Sequence, residues 1–133
     1  RSLIRGIKIR ASQVITGDLG IECVRLAKKI ARISGLPLIV HVGEPPPLLD
    51  EVLPLLEKGD VITHAFNGKS GGNIMEDPLT FALAKEAQSR GVVMGVVMSD
   101  ADLGVRPGGA DEGRGQMCVA VVWEASWFAE PTI

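Results

Sequence analysis

His41 and His64, the only two histidines in the chain, stand at the ends of two short apolar runs, Leu36 to Val42 and Val61 to Thr63. Taken singly, each is an ordinary hydrogen-bonded ring, because most histidines bind no metal. Together, at equivalent places on successive strands, they suggest more. Neutral imidazole is a common zinc ligand, and two rings with a third protein ligand and a water complete a catalytic site. Lys8 lies in Gly6 to Ala11, a run alternating in the period of a strand, with Ile7 and Ile9 on one face and Lys8 and Arg10 on the other. On pattern alone Lys8 is a solvated surface lysine. If Ile7 and Ile9 face helices, however, Lys8 falls inside a barrel, where an ammonium is costly unless paired or chemically converted.

Three further polar features follow the predicted strands. Glu44 reads either as a rim charge beside a helix dipole or as a group orienting a metal's ligands. The loop Asn67-Gly68-Lys69-Ser70-Gly71-Gly72 ends like a phosphate-binding loop, but Thr63 stands where that pattern needs its first glycine. It therefore reads as a flexible connection or as a substrate-contacting loop. Asp100 is a turn residue on its pattern, and a weak candidate for catalysis.

The elements that must position these residues can be predicted from periodicity and breakers. After the strand Gly6 to Ala11, Asp18 is a candidate cap for a helix marked by Ile21, Val24, Leu26, Ala27, Ile30, Ala31 and Ile33 and stopped by Gly35. The strand Leu36 to Val42 leads into Pro45-Pro46-Pro47, which reads as a stiff extended loop. The next helix, Leu48 to Glu57, contains Pro54 and should kink or split there. Strand Val61 to Thr63, a helix Leu79 to Arg90 with Pro78 in its first turn and Gly91 at its end, and strand Val92 to Met98 complete the series. Strands alternating with helices over short connections predict an α/β fold with four parallel strands, whose ligands gather at the strands' carboxyl ends. Beyond Ser99 the pattern ceases: Arg106 to Gly115 is rich in Gly and Pro, and Gln116 to Ile133 shows neither period.

Composition narrows the function classes. With 14 basic and 16 acidic residues, a net charge of −2 and 23% charged residues, there is no electrostatic case for nucleic acid or an anionic membrane. The apolar stretches fall short of the roughly 18 residues that span a bilayer, so a soluble, cytoplasmic protein is expected. Cys23 and Cys118 read as reduced structural thiols. At 133 residues the chain is one domain at most, short of the roughly 200 or more of a complete eight-stranded α/β barrel, and Arg1 suggests that it begins inside a longer product.

Four stretches resemble the dihydroorotase-like amidohydrolase/deacetylase group of the amidohydrolase superfamily. They are Gly6-Ile7-Lys8-Ile9-Arg10, Thr16-Gly17-Asp18-Leu19-Gly20, His41-Val42-Gly43-Glu44-Pro45-Pro46 and Thr63-His64-Ala65-Phe66-Asn67-Gly68-Lys69. The resemblance covers about residues 1–95 and implies a partial TIM-like (β/α) barrel comprising strands four to seven. It implies a divalent metal centre, with zinc as the expected ion. Lys8 resembles the lysine that carbon dioxide converts to a metal-bridging carbamate, and His41 and His64 resemble the ligands ending strands five and six. The implied activity is hydrolysis of amide or ester bonds in small acylated or cyclic amide substrates by a metal-bound hydroxide. Asn67 and Lys69 are the implied substrate contacts, and Glu44 the residue behind the ligands. The family's His-x-His of strand one and its aspartate of strand eight have no counterpart here, so the isolated chain should be weak or inactive.

Residues 1–98 are thus expected to form the partial metallohydrolase barrel and 99–133 a divergent tail. A frame shifted by two bases lets codons for Val93 to Met98 encode Asp-Gly-Arg-Gly-His, closer to the family pattern, so the tail reads as a frameshift product. An uninterrupted family-like frame in the parent gene is the result that supports this; the same tail in related genes is the result that ends it. Strands four and seven should form open edges that favour a homo-oligomer. Two rival readings are a non-catalytic truncated α/β domain or assembly module, separable by metal uptake, and a flavodoxin-like binding domain, disfavoured because no glycine-rich loop follows the first strand.

Overall fold

The computed structural model describes residues 3–66, 70–97 and 120–123. Strand β1 (Ile7–Ala11) is followed by a short helix α1 (Gln13–Thr16) and a 3-10 turn (Gly17–Leu19), then by helix α2 (Glu22–Ser34) and strand β2 (Leu38–Val42). Helix α3 (Leu49–Val52) passes into a 3-10 turn (Leu53–Leu55) with Pro54 at its start, the expected split. Strand β3 (Val61–Thr63), helix α4 (Pro78–Ser89), strand β4 (Val93–Val97) and strand β5 (Ala120–Trp123) follow. The sheet order is β1-β2-β3-β4-β5, with the first four strands parallel.

Three expectations need correction. Asp18 does not cap α2: it lies in the 3-10 turn, and Ile21 occupies the N-cap without a side-chain bond. The stretch after β1 is taken up by α1 and that turn, so the long helix starts later. In α2, Leu26, Ile30 and Ile33 are exposed, while Cys23, Val24, Ala27, Lys28 and Ala31 face the core. The tail contributes β5, antiparallel to β4, so β4 is not the open edge that was expected.

The core lies between one face of the sheet and the helices. Leu38, Val40 and Val42 of β2, Ile62 of β3 and Met94 of β4 are buried there against Val24, Ala27, Ala31, Leu53, Leu56, Ala84 and Ala87. Burying a Leu or Val side chain stabilises by about 1.5–3 kcal/mol, so this face holds the fold. Gly35 ends α2 in the left-handed conformation, φ 65°, and its N–H donates to the carbonyls of Ala31 and Arg32. The Asp77 carboxylate caps α4 by accepting from Thr80 N at 2.9 Å and Thr80 Oγ1 at 3.0 Å, bonds that hold it below the ordinary carboxylate value. Cys23 is buried, its Sγ donating to Gly20 O, and burial pushes the thiol up. No helix among the described residues is long and apolar enough to cross a membrane.

At the amino ends of the strands sits a polar knot that the periodicity does not announce. Asp60 is 2% exposed and accepts from the Lys28 ammonium, from Leu38 N at 2.9 Å and from Glu57 N at 2.8 Å, while its carbonyl accepts from Val93 N at 2.8 Å. One residue thereby joins α2 to the starts of β2, β3 and β4. Glu57, on the outer side of the knot, accepts from the Arg32 guanidinium and from Lys28 at 2.9 Å. These bonds, Arg32 first, lower its pKa from 4.5 to about 2. A depressed carboxylate stabilises above its unfolded value and loses that contribution as pH falls through the folded value. Stability should therefore drop between pH 4.5 and about 2, and Glu57→Gln should flatten that limb in acid titrations followed by circular dichroism.

Candidate metal centre

The face of the sheet opposite the core carries the candidate residues. Successive side chains of a strand point to opposite faces, so burying Ile7 and Ile9 beside the core leaves Lys8 and Arg10 on the other side, both exposed. Parallel pairing sets the rows: Lys8 lies level with Ile39 and Val61, and Arg10 with His41, Thr63 and Gly95. His41 is thus inside β2, one residue before its end, and His64 immediately follows β3.

The two imidazoles meet. Their ring centroids are 4.1 Å apart with planes inclined at 38°. His64 has φ 63°, the one positive φ outside glycine among the described residues. Histidine is among the residues that tolerate this region, but the conformation still costs on the order of 1–3 kcal/mol and is concentrated at functional sites. Ala65, fully buried, anchors the turn by accepting from Ile74 N at 2.9 Å.

The rim between β1 and β2 is closely packed. Gly43 N donates to Ala11 O and Gln13 N to Glu44 O, carrying the strand pairing beyond the strands, and Ser12 Oγ donates to Glu44 Oε2 at 2.8 Å. A Cβ on Gly43 would come within 2.9 Å of both Ser12 Cβ and Oγ, and Ser12 is only 1% exposed. Gly43→Ala should therefore destabilise by about 1–3 kcal/mol in urea unfolding, with partial recovery in the Ser12→Gly background.

Of the residues singled out from sequence, His41 and His64 are brought into contact, and Glu44 joins the rim. Lys8 shares their face but stands one row below His41, an offset of about 6.6 Å at 3.3 Å per residue. Its ammonium is exposed rather than enclosed, so the burial cost expected of it does not arise among the described residues. Asn67, Lys69 and Asp100 lie outside the described residues, as does Cys118. Sequence reasoning missed Ser12, whose signal was its place immediately after β1, two residues past Arg10.

The donor set fits part of a divalent-metal site. Zinc binds imidazole nitrogen at about 2.0–2.1 Å, and paired metals lie about 3.5–4 Å apart, so rings in contact can serve one ion or two neighbouring ones. No group of three or more His, Cys, Asp or Glu residues among the described residues could hold a metal. A cavity of about 290 Å³ elsewhere, lined by Asp50, Glu76 and Asp77 among others, includes none of Lys8, His41 or His64.

Fold and site together define part of a parallel α/β barrel with an imidazole pair at the carboxyl ends of its strands. By sequence and by fold the chain is related to the amidohydrolase superfamily, over part of each relative's length. It is 58% identical over 89 residues to a deacetylase of Brucella anthropi and 57% identical over 89 residues to a deacetylase of Agrobacterium fabrum, each match covering 67% of this chain and 22% of the relative. A deacetylase of Enterococcus faecalis is 46% identical over 95 residues, 68% of this chain and 25% of the relative. The crystal structure of a dihydroorotase superposes with a TM-score of 0.69 at 52% identity, covering 74% of this chain and 27% of that one. An adenine deaminase superposes with a TM-score of 0.62 at 38% identity, covering 71% and 26%. The chain thus spans about a quarter of the length of these relatives. No protein-family model matches it.

Proposed function

We propose that this chain is the strand-four-to-seven segment of a cytoplasmic, metal-dependent amidohydrolase that, at full length, cleaves C–N amide or ester bonds in small acylated or cyclic amide substrates. The observation that carries the reading is the contact of His41 with His64 at 4.1 Å on the open face of the sheet. The relatives' names, deacetylase and dihydroorotase, support the bond class. Zinc is the expected ion, and when bound it polarises a carbonyl and lowers the pKa of water toward neutrality.

The residues of this chain have separate tasks in that reading. His41 and His64 present their rings, one from within a strand and one from the turn that follows the next strand. Lys8, on the row beneath on the same face, would as a carbamate add oxygen donors. Glu44, held by Ser12, keeps the rim beside His41 in place. Asn67 and Lys69 are assigned to substrate contact.

The test is zinc content and zinc affinity of the whole chain, purified without chelators, compared with His41 and His64 variants. Uptake that depends on both rings supports the reading, and a chain that takes up no zinc at micromolar concentration overturns it in favour of a non-catalytic domain. Carbon-13 NMR in labelled bicarbonate should show a carbamate signal that Lys8→Ala removes.

A further inference from the structure

The pairing of β2 with β3 ends at the row of His41 and Thr63, so His64 and the turn that carries it lie past the last paired residues. Contacts beyond the sheet must then keep the second ring beside the first. Two backbone bonds return the following segment to the rim. Ile74 N donates to Ala65 O at 2.9 Å, one residue past His64, and both residues are fully buried. Farther out, Gly71 O accepts from Leu49 N at 2.9 Å, at the start of α3 and so on the chain that leaves β2. Gly71 is seated closely there: its φ is 78°, and a Cβ on it would come within 2.6 Å of Leu48 Cδ2 and 3.1 Å of Pro45 Cγ. The amide of Gly71 is held by Glu76, whose carboxylate accepts from Gly71 N and, at 2.9 Å, from Ser70 Oγ. Glu76 is itself fixed, because its N–H donates to Asn73 O at 3.2 Å and the neighbouring Asp77 caps α4.

We infer that Glu76 is a positioning residue of the imidazole pair: through Gly71 it ties the loop after β3 to the loop after β2, and thereby sets the contact of His41 with His64. Its effect on metal binding rests on the reading of these rings as ligands, whereas its effect on the ring contact does not. A hydrogen bond to a carboxylate is roughly twice as strong as one between neutral groups. Here each oxygen has its own donor, Oε1 the Ser70 hydroxyl and Oε2 the Gly71 amide, so the carboxylate fixes two successive residues of the loop. Without it the Gly71 amide is left to water, and the Leu49 bond loses the support behind it. His64 is the ring that responds, since a left-handed φ of 63° persists only where the surroundings impose it. Strand β2, paired on both sides, keeps His41 in place.

The experiment follows the nuclear Overhauser effect between the ring protons of His41 and His64 in the whole, zinc-free chain and, separately, its zinc affinity. Circular dichroism establishes that each variant folds. Glu76→Ala should weaken or abolish the ring-to-ring effect and lower zinc affinity about 10-fold or more, the usual consequence of losing a group that orients ligands. Glu76→Asp keeps the charge but is one methylene shorter, so it should behave as Glu76→Ala does, and it decides the matter if Glu76→Ala fails to fold. Glu76→Gln retains an acceptor for Gly71 N and should restore part of both readouts. Glu57→Gln, which also removes a carboxylate that ties elements together but at the amino ends of the strands, should change neither. A ring-to-ring effect that is unchanged in the folded Glu76 variants overturns the inference, as does an equal loss in Glu57→Gln. If the unsubstituted chain binds zinc and the Glu76 variants keep both the ring contact and the affinity, Glu76 loses its role and the hydrolase reading stands. If the chain binds no zinc and Glu76→Ala still loses the ring contact, Glu76 keeps its role and the hydrolase reading falls.

Discussion

Asp60→Ala is expected to destabilise the protein by on the order of 3–5 kcal/mol, the usual cost of stranding one partner of a buried ion pair. The substitution leaves the Lys28 ammonium, itself 6% exposed, beside a void, and it removes the acceptor for Leu38 N and Glu57 N. Glu57 offers Lys28 a second carboxylate at 2.9 Å, but that carboxylate is half exposed and already engaged by Arg32. Since folded domains are stable by only about 5–15 kcal/mol, the variant should unfold at far lower urea concentration or fail to fold. Lys28→Met removes the charge while keeping much of the volume, and should cost less. Equal stability of Asp60→Ala and the unsubstituted chain in urea unfolding would show that the knot does not hold the amino ends of the strands.

Loss of either imidazole is expected to lower zinc affinity by at least about 100-fold, because removing a group that merely orients a ligand already costs 10–100-fold. His64→Asn is the suitable variant at the second position, since asparagine also accepts the left-handed backbone that His64 adopts at φ 63°. His41→Ala suffices at the first, where the strand is paired on both sides. Competition with a chromogenic chelator gives the affinities, and far-ultraviolet circular dichroism establishes that both variants fold. Two variants that fold and bind zinc as the unsubstituted chain does would sink the proposed function.

Much of the fold could be read along the chain. Gly35 and Pro78 marked helix ends to within a residue or two, and Pro54 marked the split between α3 and the turn after it. These are local effects of backbone freedom and missing donors, which act wherever the chain goes. The apolar stripe of α2 was harder. Leu26, Ile30 and Ile33 satisfy helical spacing yet stay exposed, while Lys28 lies buried among the core-facing residues. A lysine inside an apolar stripe reads as a solvated charge until its carboxylate, brought up from the turn before β3, is in view. β5 was illegible for a similar reason, since its pairing with β4 is a contact between distant parts of the chain.

What the sequence alone determined is the two-sidedness of the first strand and the breaks at Gly35, Pro54 and Pro78. The alternation of Ile7, Lys8, Ile9 and Arg10 already separated a core face from a polar one, because the pleat repeats every two residues. Only the tertiary structure decided register and contact: that Arg10 rather than Lys8 is level with His41, that the rings of His41 and His64 touch, and that Asp60 gathers three strand starts. Parity is set by neighbours in the chain, whereas register and ring contact are set by how strands far apart in sequence settle on one shared core.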